Sequence, residues 1–179
     1  MRTTCGAATP NSTGRFPTSL LIRPIELRDV DAILSIQSAC PEIAQWSAWD
    51  YARVARAEMA GWVAEEESTV ISGFLVARRI ASDIEILNLA VRLSARRHGV
   101  GSELLLESFE WGRSFGAAKA LLEVRESNLA ALRFYERHGF SLVGRRKQYY
   151  VAPSEDALVL NVELQSPLAI REPKRIHGC

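Results

Sequence analysis

The chain has 179 residues, 47% hydrophobic and 24% charged, which suits one globular domain with a substantial core rather than two domains. A formal net charge of +1 excludes a strong overall pull toward nucleic acid or an anionic membrane. The 3 cysteines, Cys5, Cys40 and Cys179, lack metal-ligand spacing, and no apolar run forms a secretory signal or approaches the roughly 20 residues of a membrane span, so the expectation is a metal-free protein of the reducing cytoplasm.

Residues 1–19, rich in Thr, Ser, Pro, Gly and Asn, read as a disordered tail. Residues 20–165 read as a single domain, and 166–179, with Pro167, Pro173 and Gly178, as a peripheral tail. The domain opens with a short strand at 20–24. Asp29 then caps a helix on which Val30, Ile33, Leu34 and Ile36 recur at helical spacing. A second helix is expected at about 47–59. Strands follow at 61–66 and 70–79, on either side of the polar turn Glu67-Ser68, and at 83–91. A helix over about 99–115 carries the apolar stripe Val100, Leu104, Trp111 and Phe115. Residues 119–125 form the next strand and 128–138 the next helix, stopped by Gly139 as a C-cap glycine stops one. Strands at 140–143, 149–152 and 157–164 complete the sheet. This order predicts an α/β fold of the mixed α+β kind, one sheet with helices on its faces.

The strand ending at Val91, the loop Arg96-Arg97-His98-Gly99-Val100-Gly101 and the helix after it form an anion-binding arrangement. Free N–H groups and the helix dipole favour negative charge at a helix start. Gly99 and Gly101 allow close backbone approach, and Arg96 and Arg97 add charge. Leu104 stands where a dinucleotide fingerprint needs its third glycine, and the Lys-Ser/Thr of a nucleoside-triphosphate loop is absent. By itself the short Gly-x-Gly supports a phosphate site and a mere turn equally.

Glu123 lies inside the apolar run 120–124, where a carboxylate is costly to bury without a partner. Leu121, Glu123 and Arg125 share a strand face, so Glu123 reads either as half of an ion pair with Arg125 or a nearby base, or as a general base. Asn128 and Tyr135, seven residues apart, share a helix face that starts directly after this strand. Taken singly, Asn128 is as well explained as a helix cap and Tyr135 as core packing.

Taken together, these motifs resemble the GNAT acetyltransferase superfamily, whose acetyl-CoA loop has the form Arg/Gln-x-x-Gly-x-Gly/Ala. Asn88-Leu89-Ala90-Val91, Leu122-Glu123-Val124-Arg125-Glu126-Ser127-Asn128 and Phe134-Tyr135-Glu136-Arg137-His138-Gly139-Phe140 are similar to the ribosomal-protein-alanine N-acetyltransferases of the RimI type. So are Arg145-Arg146-Lys147-Gln148-Tyr149-Tyr150 and Glu155-Asp156-Ala157. The resemblance covers about residues 20–164 and is most specific over 88–150. It implies a central mixed, mostly antiparallel sheet with helices on both faces. It implies acetyl-CoA as co-substrate and no metal, with Leu89, Ala90 and Val91 pairing with the pantetheine arm as an added strand would. Residues Arg96, Arg97, His98, Gly99, Val100, Gly101 and Ser102 would wrap the pyrophosphate, and Asn128 would bond the cofactor near the thioester. Glu123 would be the general base and Tyr135 the general acid, with Trp46 and Tyr149 lining the acceptor slot, although Trp46 reads equally well as a core or lid tryptophan. Gln45 departs from the type, which has Pro before the matching Trp46-Ser47. The implied acceptor is a protein N-terminal α-amine, that of the alanine of ribosomal protein S18. A small-molecule amine or amino acid acceptor, a non-catalytic acyl-CoA sensor and a nucleotide-binding structural domain are the competing readings. No direct nucleic-acid or membrane partner is expected.

Overall fold

The computed structural model describes residues 20–57, 59–66, 69–151 and 153–164. Both tails, Glu58, the expected turn at Glu67-Ser68 and Ala152 lie outside the described residues.

Seven strands form one sheet in the order β1-β2-β3-β4-β5-β7-β6. They are β1 (Leu21–Pro24), β2 (Ala60–Glu66), β3 (Val70–Ile80), β4 (Asp83–Val91), β5 (Lys119–Arg125), β6 (Ser141–Val151) and β7 (Ser154–Glu163). Every neighbouring pair is antiparallel except β4 and β5. The helices are α1 (Val30–Ser38), α2 (Ala48–Ala55), α3 (Val100–Ser114) and α4 (Leu129–Arg137).

Period-two alternation sorts the strand side chains into two cores. Trp62, Ala64, Leu75 and Ala77 pack under α3 and α4 with Leu104, Leu105, Phe109 and Tyr135. Val63, Phe74 and Val76 face the other way, against Ile33 and Ile36 of α1 and Tyr51 and Val54 of α2. Helices therefore cover both faces, as expected. Leu104 is fully buried at the middle of the first core. Leu104→Ala removes its packing and leaves a cavity between α3 and the sheet, so urea titration should show a loss of about 2–5 kcal/mol in unfolding free energy.

The structure corrects several boundaries. Asp29 stands at the start of α1, but its side chain does not cap that helix. It accepts from the Glu26 N–H at 2.8 Å and pairs with Arg23 at 2.7 and 2.8 Å, while Arg23 also pairs with Glu65 of β2. Burial alone would raise the Asp29 carboxyl; the bonds from Arg23 and Glu26 outweigh it and hold it below its ordinary value. The second helix starts on a capping box between Ser47 and Asp50 but ends at Ala55, and Ala57 turns the chain at a left-handed φ of 63°. The two strands expected at 140–143 and 149–152 are one continuous strand, β6, irregular between Arg146 and Tyr150. Its side chains are largely exposed, so no burial pattern marked the middle of it. The α4 boundaries agree with expectation: Asn128 accepts from Ala131 N–H at 3.1 Å, and Gly139 follows the helix at φ 84°.

Candidate active site

The site begins with a break in the sheet. Val76 pairs with Asn88 but Ala77 pairs with Ile86, so Leu87 is an extra residue in β4. A bulge of this kind bends its strand and interrupts the ladder. The parallel β4–β5 ladder runs only over residues 84–86 against 120–122. Beyond it, residues 87–91 and 122–125 line opposite sides of a cavity of about 930 Å³. Leu89, Ala90 and Val91 use one edge for β3 and line this cavity with the other.

The glycine loop closes one end. Arg97 and Gly99 have left-handed φ values of 69° and 88°, which curl the chain ahead of α3. For Gly99 this conformation is free of the steric penalty other residues meet. The N–H groups of Arg97, His98, Gly99, Val100 and Gly101 have no hydrogen-bond acceptor among the described residues. A Cβ at Gly101 would sit 3.5 Å from Phe134 and Val91, on the wall of the cavity. Arg96, Arg97, Gly99, Gly101 and Ser102 line the cavity, whereas His98 is exposed and Val100 is buried in the core, and neither lines it. Arg96 is otherwise engaged: it donates from Nε to the Val91 carbonyl at 3.1 Å and from Nη2 to the buried Cys40 sulfur at 3.0 Å, 3.6 Å from Glu42. Sequence reading missed His138. Its Nδ1 lies 2.8 Å from the Phe134 carbonyl and so carries the proton, and its Nε2 lies 3.0 Å from Ser102 Oγ, bracing the start of α3 against α4.

Farther along the cleft, Glu123 faces away from the α3 core, since Ala120, Leu122 and Val124 fill it. Of the readings open for Glu123, the ion pair is made, with a nearby base rather than with Arg125. Arg125 pairs with Glu155 at 3.2 Å and stacks 4.0 Å over Tyr150. Glu123, its side chain 15% exposed, instead accepts from Arg146 Nε at 2.7 Å. The Tyr149 hydroxyl also bonds Glu123, and that carboxylate holds the Tyr149 phenol above its ordinary value. The irregular stretch of β6, with Gln148 at φ 50° and its N–H on Asp156, brings Arg146 and Tyr149 together there. Tyr135 also lines the cavity, its ring between Phe134 and Phe140. Burial pushes its phenol well above the ordinary value, so it stays protonated through neutral pH. Asn128 lines the cavity while its side-chain oxygen caps α4.

A polar network binds the loop between α1 and α2 to β4. Gln37 donates to the Trp46 carbonyl at 2.8 Å and accepts from Trp46 N–H at 2.9 Å and the Tyr51 hydroxyl at 2.6 Å. Asn88 Nδ2 donates to the Ala44 carbonyl at 3.0 Å and to Tyr51 at 3.1 Å. Trp46 packs on Tyr51 with ring centroids 5.5 Å apart and lines the cleft. Asn88 is 4% exposed, and among the described residues its Oδ1 is the buried side-chain atom without a partner. An unpaired buried acceptor costs about 1–3 kcal/mol.

One cleft thus joins the unpaired amides of the glycine loop to Glu123, Tyr135 and Tyr149. The family model described as the acetyltransferase (GNAT) family matches residues 30–140. The chain belongs to the GNAT acetyltransferase family. It is thus an N-acetyltransferase with the mixed sheet typical of that family. This GNAT enzyme is 32% identical over 92 residues to the Escherichia coli (strain K12) ribosomal protein bS18-alanine N-acetyltransferase; the match spans 50% of this chain and 62% of that protein. It is 25% identical over 147 residues to the Haemophilus ducreyi protein of the same description, covering 80% of this chain and 100% of that one. The crystal structure of the E. coli ribosomal-protein-S18-alanine N-acetyltransferase superposes with a TM-score of 0.72 at 24% identity, over 86% of this chain and 99% of that one, a likeness of fold. No helix among the described residues is long and apolar enough to cross a membrane.

Proposed function

We propose that this acetyltransferase moves an acetyl group from acetyl-CoA to the N-terminal α-amine of a protein in the cytoplasm, with the alanine of ribosomal protein bS18 as acceptor. The observation that carries the reading is the gap in the sheet: free loop amides and the Glu123 carboxylate with Tyr135 and Tyr149 lie along one cavity. The relatives described as bS18-alanine N-acetyltransferases support the choice of acceptor. The domain responsible is residues 20–165.

In this reading the amides of residues 97–101, with the dipole of α3, hold the pyrophosphate. Arg97 and Ser102 flank it, and Arg96 acts through the loop it ties to Cys40 and Val91. The free edge of Leu89, Ala90 and Val91 takes the pantetheine amides as a further strand would. Asn128 bonds the same arm near the thioester. Bound there, acetyl-CoA supplies an activated acyl thioester. An α-amine has a pKa of about 7.7–8.0 and is largely protonated at neutral pH. Glu123, directly or through a water, takes that proton; of the roughly four lone-pair positions of a carboxylate, Arg146 and Tyr149 use two. A β4 backbone N–H polarises the acetyl carbonyl, and Tyr135 gives a proton to the departing sulfur. Trp46 and Tyr149 form the walls of the acceptor slot.

The test is incubation with acetyl-CoA and a peptide beginning Ala-Arg, beside a panel of small amines, read by mass spectrometry. Acetylation at the peptide α-amine is expected. Turnover of small amines alone would move the acceptor to a metabolite, and tight acetyl-CoA binding with no turnover on either panel would make the protein a sensor. Acetyl-CoA at about 100 times its Kd should add about 2.7 kcal/mol of stability in a thermal melt. ATP and NAD should add none; equal shifts from all three would remove the acetyl-CoA assignment.

A further inference from the structure

We infer that the carboxamide oxygen of Asn88 receives an N–H of the acceptor amine and sets that amine's orientation for attack, an inference that rests on reading the cleft as an acetyltransferase site for a primary amine. The polarity of the network leaves no freedom in how this carboxamide is turned. The Ala44 carbonyl can only accept, so the nitrogen of Asn88 must face it. The Tyr51 hydroxyl spends its one proton on Gln37, so it too accepts from Asn88. Gln37 is fixed in the same way by the Trp46 carbonyl. The oxygen is the half of Asn88 that the loop does not use, on a residue lining the cleft, and it lacks a partner.

The chemistry of the cleft selects what pairs with it. A thioester presents only acceptors, a carbonyl oxygen and a sulfur, so the reacting end of the donor cannot satisfy a carboxamide oxygen. The acceptor amine can. An attacking amine nitrogen has four directions: one bond to its own carbon, a lone pair toward the acetyl carbonyl, and two N–H bonds. Asn88 touches Tyr51 and Ala44, on the α1–α2 side of the sheet, and Glu123 faces that same side from the neighbouring strand. One N–H directed to Glu123 and the other to Asn88 leave the lone pair aimed at the carbonyl between β4 and β5. A primary amine fills both positions. A secondary amine leaves one of them facing a methyl group.

The experiment measures kcat/KM for an Ala-Arg peptide with a free α-amine and for the same peptide with an N-methylated α-amine, in wild type, Asn88→Ala and Tyr51→Phe, together with the Kd for acetyl-CoA. Wild type should strongly prefer the primary amine. Asn88→Ala should lower kcat/KM for the primary amine about ten- to hundredfold and narrow the preference by a similar factor, as loss of a hydrogen bond to a nitrogen that becomes positively charged as it attacks does. Its acetyl-CoA Kd should stay within about twofold of wild type. Tyr51→Phe loosens the same loop but keeps the oxygen, so it should keep the preference; this separates the amine contact from the loop tether. An Asn88→Ala enzyme with wild-type preference, or one whose acetyl-CoA affinity falls in parallel, overturns the inference and leaves the functional proposal standing. A wild type that acetylates no N-terminal peptide overturns the functional proposal and this inference with it.

Discussion

Glu123→Gln is expected to lower kcat/KM by about 10²- to 10⁴-fold, the range of a lost general base. Stability should change by no more than about 1 kcal/mol, because the partner it loses, Arg146, is 60% exposed and such pairs contribute little. The amide keeps the shape of the side chain and an oxygen for the Tyr149 hydroxyl, so the local packing survives. The pH profile separates chemistry from structure. Without a base, only the fraction of acceptor that is already deprotonated can react. That fraction falls about tenfold per pH unit below the amine pKa of about 7.7–8.0. The variant should therefore gain activity steeply up to about pH 8 and approach wild type above it, whereas wild type should depend less on pH across that range. Steady-state rates from pH 6 to 10 with the Ala-Arg peptide provide the measurement. A variant that matches wild type at pH 6.5 assigns the proton transfer to another group.

The parts of the site that were legible in the sequence are those set by neighbours along the chain. The curl at Gly99, the start of α3, the cap at Asn128 and the stop at Gly139 each follow from a few consecutive residues, and all lie where the spacing put them. The alternation of β5 likewise set Glu123 apart from the core. What failed to show depends on distant pairings. Arg125 adjoins Glu123 on one face, yet the register of β5 on β7 and β7 on β6 gives Arg125 to Glu155 and Glu123 to Arg146. Arg96 lines the cavity where the loop spacing put it, but the contacts that hold it, Cys40 and Glu42 beyond the end of α1, lie 54 to 56 residues back along the chain. Asn88 entered the sequence reading only as the first residue of the motif Asn88-Leu89-Ala90-Val91. Its orientation depends on Gln37, Ala44 and Tyr51, which no spacing rule connects to it.

Tyr135→Phe carries the other large effect, a fall in kcat on the order of 10², the low end for a general acid because a thiolate leaves more readily than an amine or alkoxide. The fold should not notice the change. The ring packs between Phe134 and Phe140, contacts that phenylalanine keeps, and the loss of one hydroxyl costs at most about 1–2 kcal/mol. Acetyl-CoA and acceptor Kd values should hold within about twofold, because proton donation to sulfur develops only as the bond breaks. The direction of the Tyr135 shift adds a second check. Burial, with a smaller contribution from Tyr150, keeps the phenol protonated above its ordinary pKa of about 10. Tyr135 therefore supplies no basic limb to the wild-type profile below pH 10, and the ratio of wild-type to variant kcat should stay level from pH 6 to 9. In the Glu123→Gln comparison the same ratio should shrink as pH rises. Opposite pH behaviour of the two ratios would separate the base from the acid; a Tyr135→Phe enzyme with wild-type kcat would leave the departing thiolate to solvent.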